Sequence, residues 1–128
     1  MNLISQQNLD CIIHCGSEIL KGDILNSQKF GVISFHLGDG LKNKREPYGF
    51  WEVYFGQPSS GFLIEKLNQI PIKNEILLRG NLMTSNLWLA NHAQLMEKCN
   101  TFLMQFLLHL SINRKLPKCD GNRLNESF

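Results

Sequence analysis

A chain of 128 residues, 43% apolar and 19% charged, is long enough to bury one modest core and too apolar to be disordered. Thirteen Lys and Arg against eleven Asp and Glu leave a formal charge of +2, too small a surplus to define a nucleic-acid or acidic-membrane partner. Cys11, Cys15, Cys99 and Cys119 form neither a metal knuckle nor a disulfide framework, and no apolar run reaches the roughly 18 residues of a membrane span. The opening MNLISQQNLD lacks the layout of a signal peptide, so the expectation is a cytoplasmic protein with reduced thiols.

In chain order, Leu9 to Cys15 (LDCIIHC) reads as a short buried strand of the central parallel type, ended by the Gly16-Ser17 turn. Glu18 to Asn26 carries Ile19, Leu20, Ile24 and Leu25 at near-helical spacing, weakened by Gly22, and predicts a short helix. Gly31 to His36 is a second strand, with Val32, Ile33 and Phe35 supplying β-branched and aromatic side chains. His36 stands where it ends, before the turn Gly38-Asp39-Gly40 and a basic surface loop holding Lys42, Lys44 and Arg45.

Pro47 falls near the first turn of a helix over Tyr48 to Phe55, whose Phe50, Trp51, Tyr54 and Phe55 form an aromatic face. Core packing is the expectation for that face, ahead of base or ligand stacking. Gln57 to Gly61 closes the helix. From Gly61 the pattern has period two, with Phe62 and Ile64 facing one way and Leu63 and Glu65 the other. After the Pro71 turn, Glu75 to Arg79 completes an antiparallel pair at the edge of an α/β sheet. Thr84 or Ser85 then caps a long amphipathic helix with Leu89, Ala93, Met96, Cys99, Leu103, Phe106 or Leu107, and Leu110 along one stripe. Beyond Asn113 the sequence is polar and aperiodic, as expected of a frayed tail.

Through SFHLGDG and KNKREPYGFWEVYFGQPSSGFLIEKL the sequence resembles the folate-dependent formyltransferases of the methionyl-tRNA formyltransferase type. Those enzymes carry a strand ending in Asn-x-His, a loop with a proline, a helix starting near Trp and a Thr-Gly-apolar strand. A divergent branch has Phe-His-x-Gly-Asp after the first of these strands. The resemblance runs from about Leu9 to about Leu107. It implies an α/β fold, the C-terminal part of a Rossmann-like formyltransferase domain, with short parallel strands, an antiparallel edge pair and a long C-terminal helix. Residues 1–113 would form this partial catalytic domain, and 114–128 the polar tail.

The activity so implied is transfer of a formyl group from 10-formyltetrahydrofolate to an acceptor amine through a tetrahedral intermediate. In the family an Asn stabilises the oxyanion, a His acts as acid or base, and an Asp orients the His. The family histidine falls on His36, and the strand-end segment supplying backbone groups to the pterin ring falls on Cys15, Gly16 and Ser17. Ser34 stands at the Asn position, where a shorter hydroxyl implies weaker stabilisation.

At the Asp position stands Ile72, so His36 would lack its usual partner unless Asp39 or Glu75 is brought close. The chain also begins almost directly at the matching segment. Missing parallel strands would leave an open sheet edge for a second copy or a partner chain to complete.

Other readings compete with the transferase. A non-catalytic folate-binding or assembly module keeps the fold without the chemistry. Metal binding through Cys11, His14, Cys15 and His36 is disfavoured because adjacent strand residues face opposite ways. Transfer RNA could meet Lys42, Lys44 and Arg45, although a short basic loop is usually just solvated.

Overall fold

The computed structural model describes residues 2–16, 18–37, 46–70 and 73–117, and at Asn2 and Ser5 the backbone alone. Its elements in order are α1 (Asn2–Ser5), β1 (Ile12–His14), a 3₁₀ turn (Asp23–Asn26), β2 (Val32–Leu37), α2 (Phe50–Tyr54), β3 (Ser59–Lys66), β4 (Glu75–Met83) and α3 (Trp88–Asn113). The strands form one sheet in the order β1-β2-β3-β4, with β1 and β2 parallel and the remaining pairs antiparallel. A mixed sheet backed by one long helix is the α/β arrangement expected.

Strand alternation decides which side chains meet the helix. Ile33 and Leu37 of β2, Phe62 and Ile64 of β3 and Leu77 of β4 pack against Leu95, Cys99, Leu103, Phe106 and Leu110 of α3. Val32, Ser34 and His36 therefore project from the opposite face, and the functional question lies there. The antiparallel pairing of β2 with β3 connects that face to Leu63 and Glu65: Ser34 lies opposite Glu65, and His36 opposite Leu63.

Gly80 sits directly across from Phe62, whose ring is buried and stacked on Phe102 at 5.6 Å between centroids. A Cβ at position 80 would lie 2.3 Å from Cζ of that ring, so only glycine fits. Gly80→Ala should destabilise the fold by about 2 kcal/mol, the usual cost of overpacking a closed core. A lowered denaturant midpoint at unchanged slope measures it.

Several local expectations change. The first strand is only Ile12–His14, half-buried, and among the described residues it lies at the sheet edge rather than centrally, with β2 on one side. The short helix over Glu18 to Asn26 shrinks to the 3₁₀ turn Asp23–Asn26, with Gly22 at φ 93° before it and Ile19 exposed. β3 already begins at Ser59, inside the segment read as closing the helix, and β4 continues four residues past Arg79.

The aromatic face of α2 is not core. Tyr54 and Phe55 are 68% and 62% exposed, and Phe50, Trp51, Tyr54, Phe55 and Trp88 stack chiefly on one another. The α2 residue that turns inward is Glu52. A helix of five residues is oriented by its anchors, here the Gly49 carbonyl held by Asn91 Nδ2 at 2.8 Å, more than by its own apolar stripe.

On α3 the stripe is correct from Met96 onward, with Met96 half-buried against the core, and wrong before it, where Ala93 is exposed. Leu89 is 71% exposed, while Asn91 and Leu95 are fully buried. Neither Thr84 nor Ser85 caps the helix. Leu87 precedes its first turn without a side-chain bond, Thr84 Oγ1 pairs with Ser60 Oγ at 2.8 Å, and the Ser85 N–H donates to Asn91 Oδ1 at 3.0 Å. Apolar periodicity cannot see a polar residue whose burial depends on partners from three other segments.

The start of the expected tail is anchored. Arg114 Nη2 donates to Asp10 Oδ1 at 2.6 Å and its guanidinium lies 5.6 Å from the Phe30 ring, while Leu116 packs on the main core. That hydrogen bond holds the Asp10 carboxyl below its ordinary 3.8, so the contact contributes above that pH and is lost as pH falls through the lowered value. Residues 118–128, with Cys119, lie outside the described set.

Cys11, Cys15 and Cys99 are free thiols. Burial pushes the Cys99 thiol up to about 11 and raises Cys11 as well, whereas Cys15 is exposed. Of these three, Cys15 should be alkylated first and Cys99 only on unfolding, as peptide mapping after timed labelling would record.

Candidate functional site

Because β1 and β2 run parallel, with His14 opposite Ser34, their carboxyl ends emerge on the same side of the sheet. Open α/β sheets present ligand sites at such strand ends. Cys15 and Gly16 follow β1 directly and are exposed; Ser17 lies outside the described residues. A Cβ at Gly16 would approach His14 Nε2 to 3.1 Å, so the glycine leaves open backbone beside an imidazole.

On the β2 face carrying Val32, Ser34 and His36 the exposure rises toward the strand end. Ser34 is buried, with its hydroxyl donating to the His14 carbonyl at 3.3 Å. To serve an oxyanion, that O–H would have to rotate off the carbonyl. The His36 side chain, 47% exposed, is open to an approaching reactant.

His36 is not isolated. Its Nε2 lies 2.7 Å from Glu65 Oε1, and that carboxylate is sheltered, with 13% of its side chain exposed. The same oxygen accepts from Asn74 Nδ2 at 3.1 Å, while Asn74 Oδ1 accepts the Asn68 N–H at 2.7 Å. A contact chain thus runs from the β3–β4 turn through Asn74 and Glu65 to the imidazole. The ladder between β3 and β4 slips by one residue at Ile64/Glu65: Ile64 faces Leu78, Glu65 faces Ile76, and Leu77 is the extra residue. Bulges of this kind re-aim side chains beside functional sites.

The expectation of a partnerless imidazole is therefore corrected. Ile72 and Asp39 lie outside the described residues, and Glu75 pairs with Lys66 at the far end of the ladder. In sequence Glu65 is only one polar position of an alternating strand. Its meaning depends on β3 lying beside β2. Arg79, in sequence simply the end of a strand, stands opposite Leu63, in the same cross-strand row as His36.

A cleft of about 200 Å³ lined by Asn26, Lys66, Leu67, Asn68, Gln69 and Glu75 opens near the amino end of β2, since Lys66 pairs with Ile33. Among the described residues no three His, Cys, Asp or Glu side chains gather to hold a metal ion. The basic residues Lys42, Lys44 and Arg45 are outside the described set, and no described helix is long and apolar enough to cross a membrane.

A parallel pair continued by two antiparallel strands and backed by a long helix is an α/β arrangement shared with solved formyltransferases. Solved structures with this fold include a 4-N formyltransferase from Francisella tularensis, TM-score 0.69 at 16% identity, covering 99% of this chain and 51% of that one. The formyltransferase PseJ from Anoxybacillus kamchatkensis, solved with UDP-4,6-dideoxy-4-formamido-L-AltNAc and tetrahydrofolate, matches with TM-score 0.67 at 20% identity over 89% of this chain and 62% of that one. Glycinamide ribonucleotide transformylase 1 from Symbiobacterium toebii matches with TM-score 0.55 at 10% identity, covering 73% and 49%.

At these identities the likeness is one of fold. This chain spans between 49% and 62% of the length of those proteins. No family model matches the sequence, and no curated protein does.

Proposed function

We propose that this chain transfers a formyl group from 10-formyltetrahydrofolate to an acceptor amine, with His36 moving the proton. The supporting observation is the accessible imidazole at the carboxyl end of the parallel pair, hydrogen-bonded through one nitrogen to a sheltered carboxylate. An imidazole held in this way leaves its other nitrogen available for proton transfer.

The residues present suit a folate. Exposed backbone at Cys15 and Gly16, with no side chain at Gly16 to crowd it, suits the edge of a pterin ring, and Ser17 continues that segment by resemblance. Bound there, 10-formyltetrahydrofolate supplies the formyl carbon. His36 accepts the proton that the amine loses as the new C–N bond forms, and returns it to the folate nitrogen as the old C–N bond breaks. Ser34 contributes to oxyanion stabilisation only after releasing the His14 carbonyl, so its share is smaller than that of an Asn amide.

The acceptor class with most support is an amino sugar on a nucleotide, because the PseJ structure holds the formylated form of one. The test is calorimetric titration with tetrahydrofolate, followed by mass spectrometry of amines incubated with protein and 10-formyltetrahydrofolate. Saturable binding with a formylated product is expected. Binding without product would replace the transferase with a folate-binding module, and absence of both would remove the folate reading altogether.

A further inference from the structure

We propose that Glu65, braced by Asn74, is the positioning carboxylate of this site, and that it fixes His36 with its proton on Nε2 and Nδ1 facing the reactants. The inference rests on the reading of His36 as the proton carrier but concerns residues that the resemblance does not assign, since the family carboxylate position is occupied by Ile72.

Three observations carry it. The first is the 2.7 Å contact between His36 Nε2 and Glu65 Oε1. An ionised carboxylate has no proton to give, so the hydrogen in that contact belongs to the imidazole, which defines the tautomer. The second is asymmetric exposure: the histidine is about half open and the glutamate sheltered, so the carboxylate faces the protein while the free ring nitrogen is left for a ligand.

The third is the bracing. Asn74 uses its amide N–H on Glu65 Oε1 and its carbonyl oxygen on the Asn68 N–H, and the bulge at Ile64/Glu65 interrupts the ladder at this residue. A surface pair held by chance would show none of these supports. A carboxylate that fixes an imidazole in one orientation and one tautomer removes the cost of selecting that state during reaction. The β3–β4 turn thereby reaches His36 through two side chains, Asn74 and then Glu65.

The deciding measurement is nitrogen-edited NMR of the full chain labelled at histidine, at about pH 8, above the ordinary histidine range. The native protein should give a downfield, exchange-protected proton on His36 Nε2 and none on Nδ1. Glu65→Ala should lose that resonance. Glu65→Gln keeps the size of the side chain in case the alanine variant unfolds, and should move the resonance upfield. Asn74→Ala should broaden it.

In turnover assays Glu65→Ala and Glu65→Gln should lower kcat by about a hundredfold while KM for the amine stays within about twofold, the split expected for an interaction that acts on the proton carrier. A native protein without the protected Nε2 proton, or either folded glutamate variant with an unchanged resonance or kcat, would overturn the proposal. If the native protein binds folate and behaves as expected by NMR but forms no product, the fixing of His36 by Glu65 stands and the formyl-transfer reading falls.

Discussion

His36→Ala should lower formyl transfer by about a hundredfold to ten-thousandfold while leaving tetrahydrofolate affinity nearly unchanged, because acid–base groups contribute on that scale to the reaction rather than to binding. The separation of effects follows from geometry. Cys15 and Gly16, proposed for the folate, follow β1, whereas His36 is the penultimate residue of β2 and bonds to β3. Removing a half-exposed imidazole leaves the α3-facing core untouched, so the variant should unfold at nearly the native temperature. Product formation at saturating donor, read beside calorimetric affinity and a thermal melt, checks all three. Equal turnover by variant and native protein would take His36 out of the mechanism.

The largest effect on stability is expected away from the imidazole, at Asn91. This side chain is fully buried at the start of α3 and uses every polar position it has. Its Nδ2 donates to the Gly49 carbonyl at 2.8 Å and to Ser60 Oγ at 3.0 Å. Its Oδ1 accepts the Ser85 N–H at 3.0 Å and Gln94 Nε2 at 2.8 Å. One residue thus joins the turn before α2, the start of β3, the β4–α3 connection and α3 itself.

Asn91→Leu keeps the number of side-chain heavy atoms and the branch at Cγ, and strands the Gly49 carbonyl and the Ser85 N–H without partners. The expected loss is about 3 kcal/mol, the cost of leaving buried polar groups unpaired. For a chain of this size that corresponds to a fall of roughly 10 °C in Tm, measurable by circular dichroism. A change within about 2 °C would mean that water replaces the amide and that the network contributes little.

The comparison of Asn91 with Leu103 explains why the long helix was only partly legible. Leu103, Phe106 and Leu110 are buried for a local reason, their apolar character at helical spacing, and that reason is written in the chain. Asn91 is buried for a non-local reason, because Gly49, Ser60 and Ser85 converge on it. The exposed Tyr54 and Phe55 are the converse: apolar residues whose short helix is turned outward by contacts elsewhere. Gly80 belongs to the same group, since an unremarkable strand glycine becomes irreplaceable only when the Phe62 ring lies across it.

By itself the sequence determined the succession of strands and the long final helix, the parallel start and antiparallel continuation of the sheet, and His36 at a strand end. Apolar periodicity and turn residues act over a few positions, which is why a linear reading finds them. Only the tertiary structure decided the company His36 keeps. Residues 29 positions apart become hydrogen-bonded because β3 pairs antiparallel with β2 and a one-residue slip occurs at Glu65. No local pattern specifies that register, since it is selected by the packing of Ile33, Leu37, Phe62 and Ile64 beneath α3.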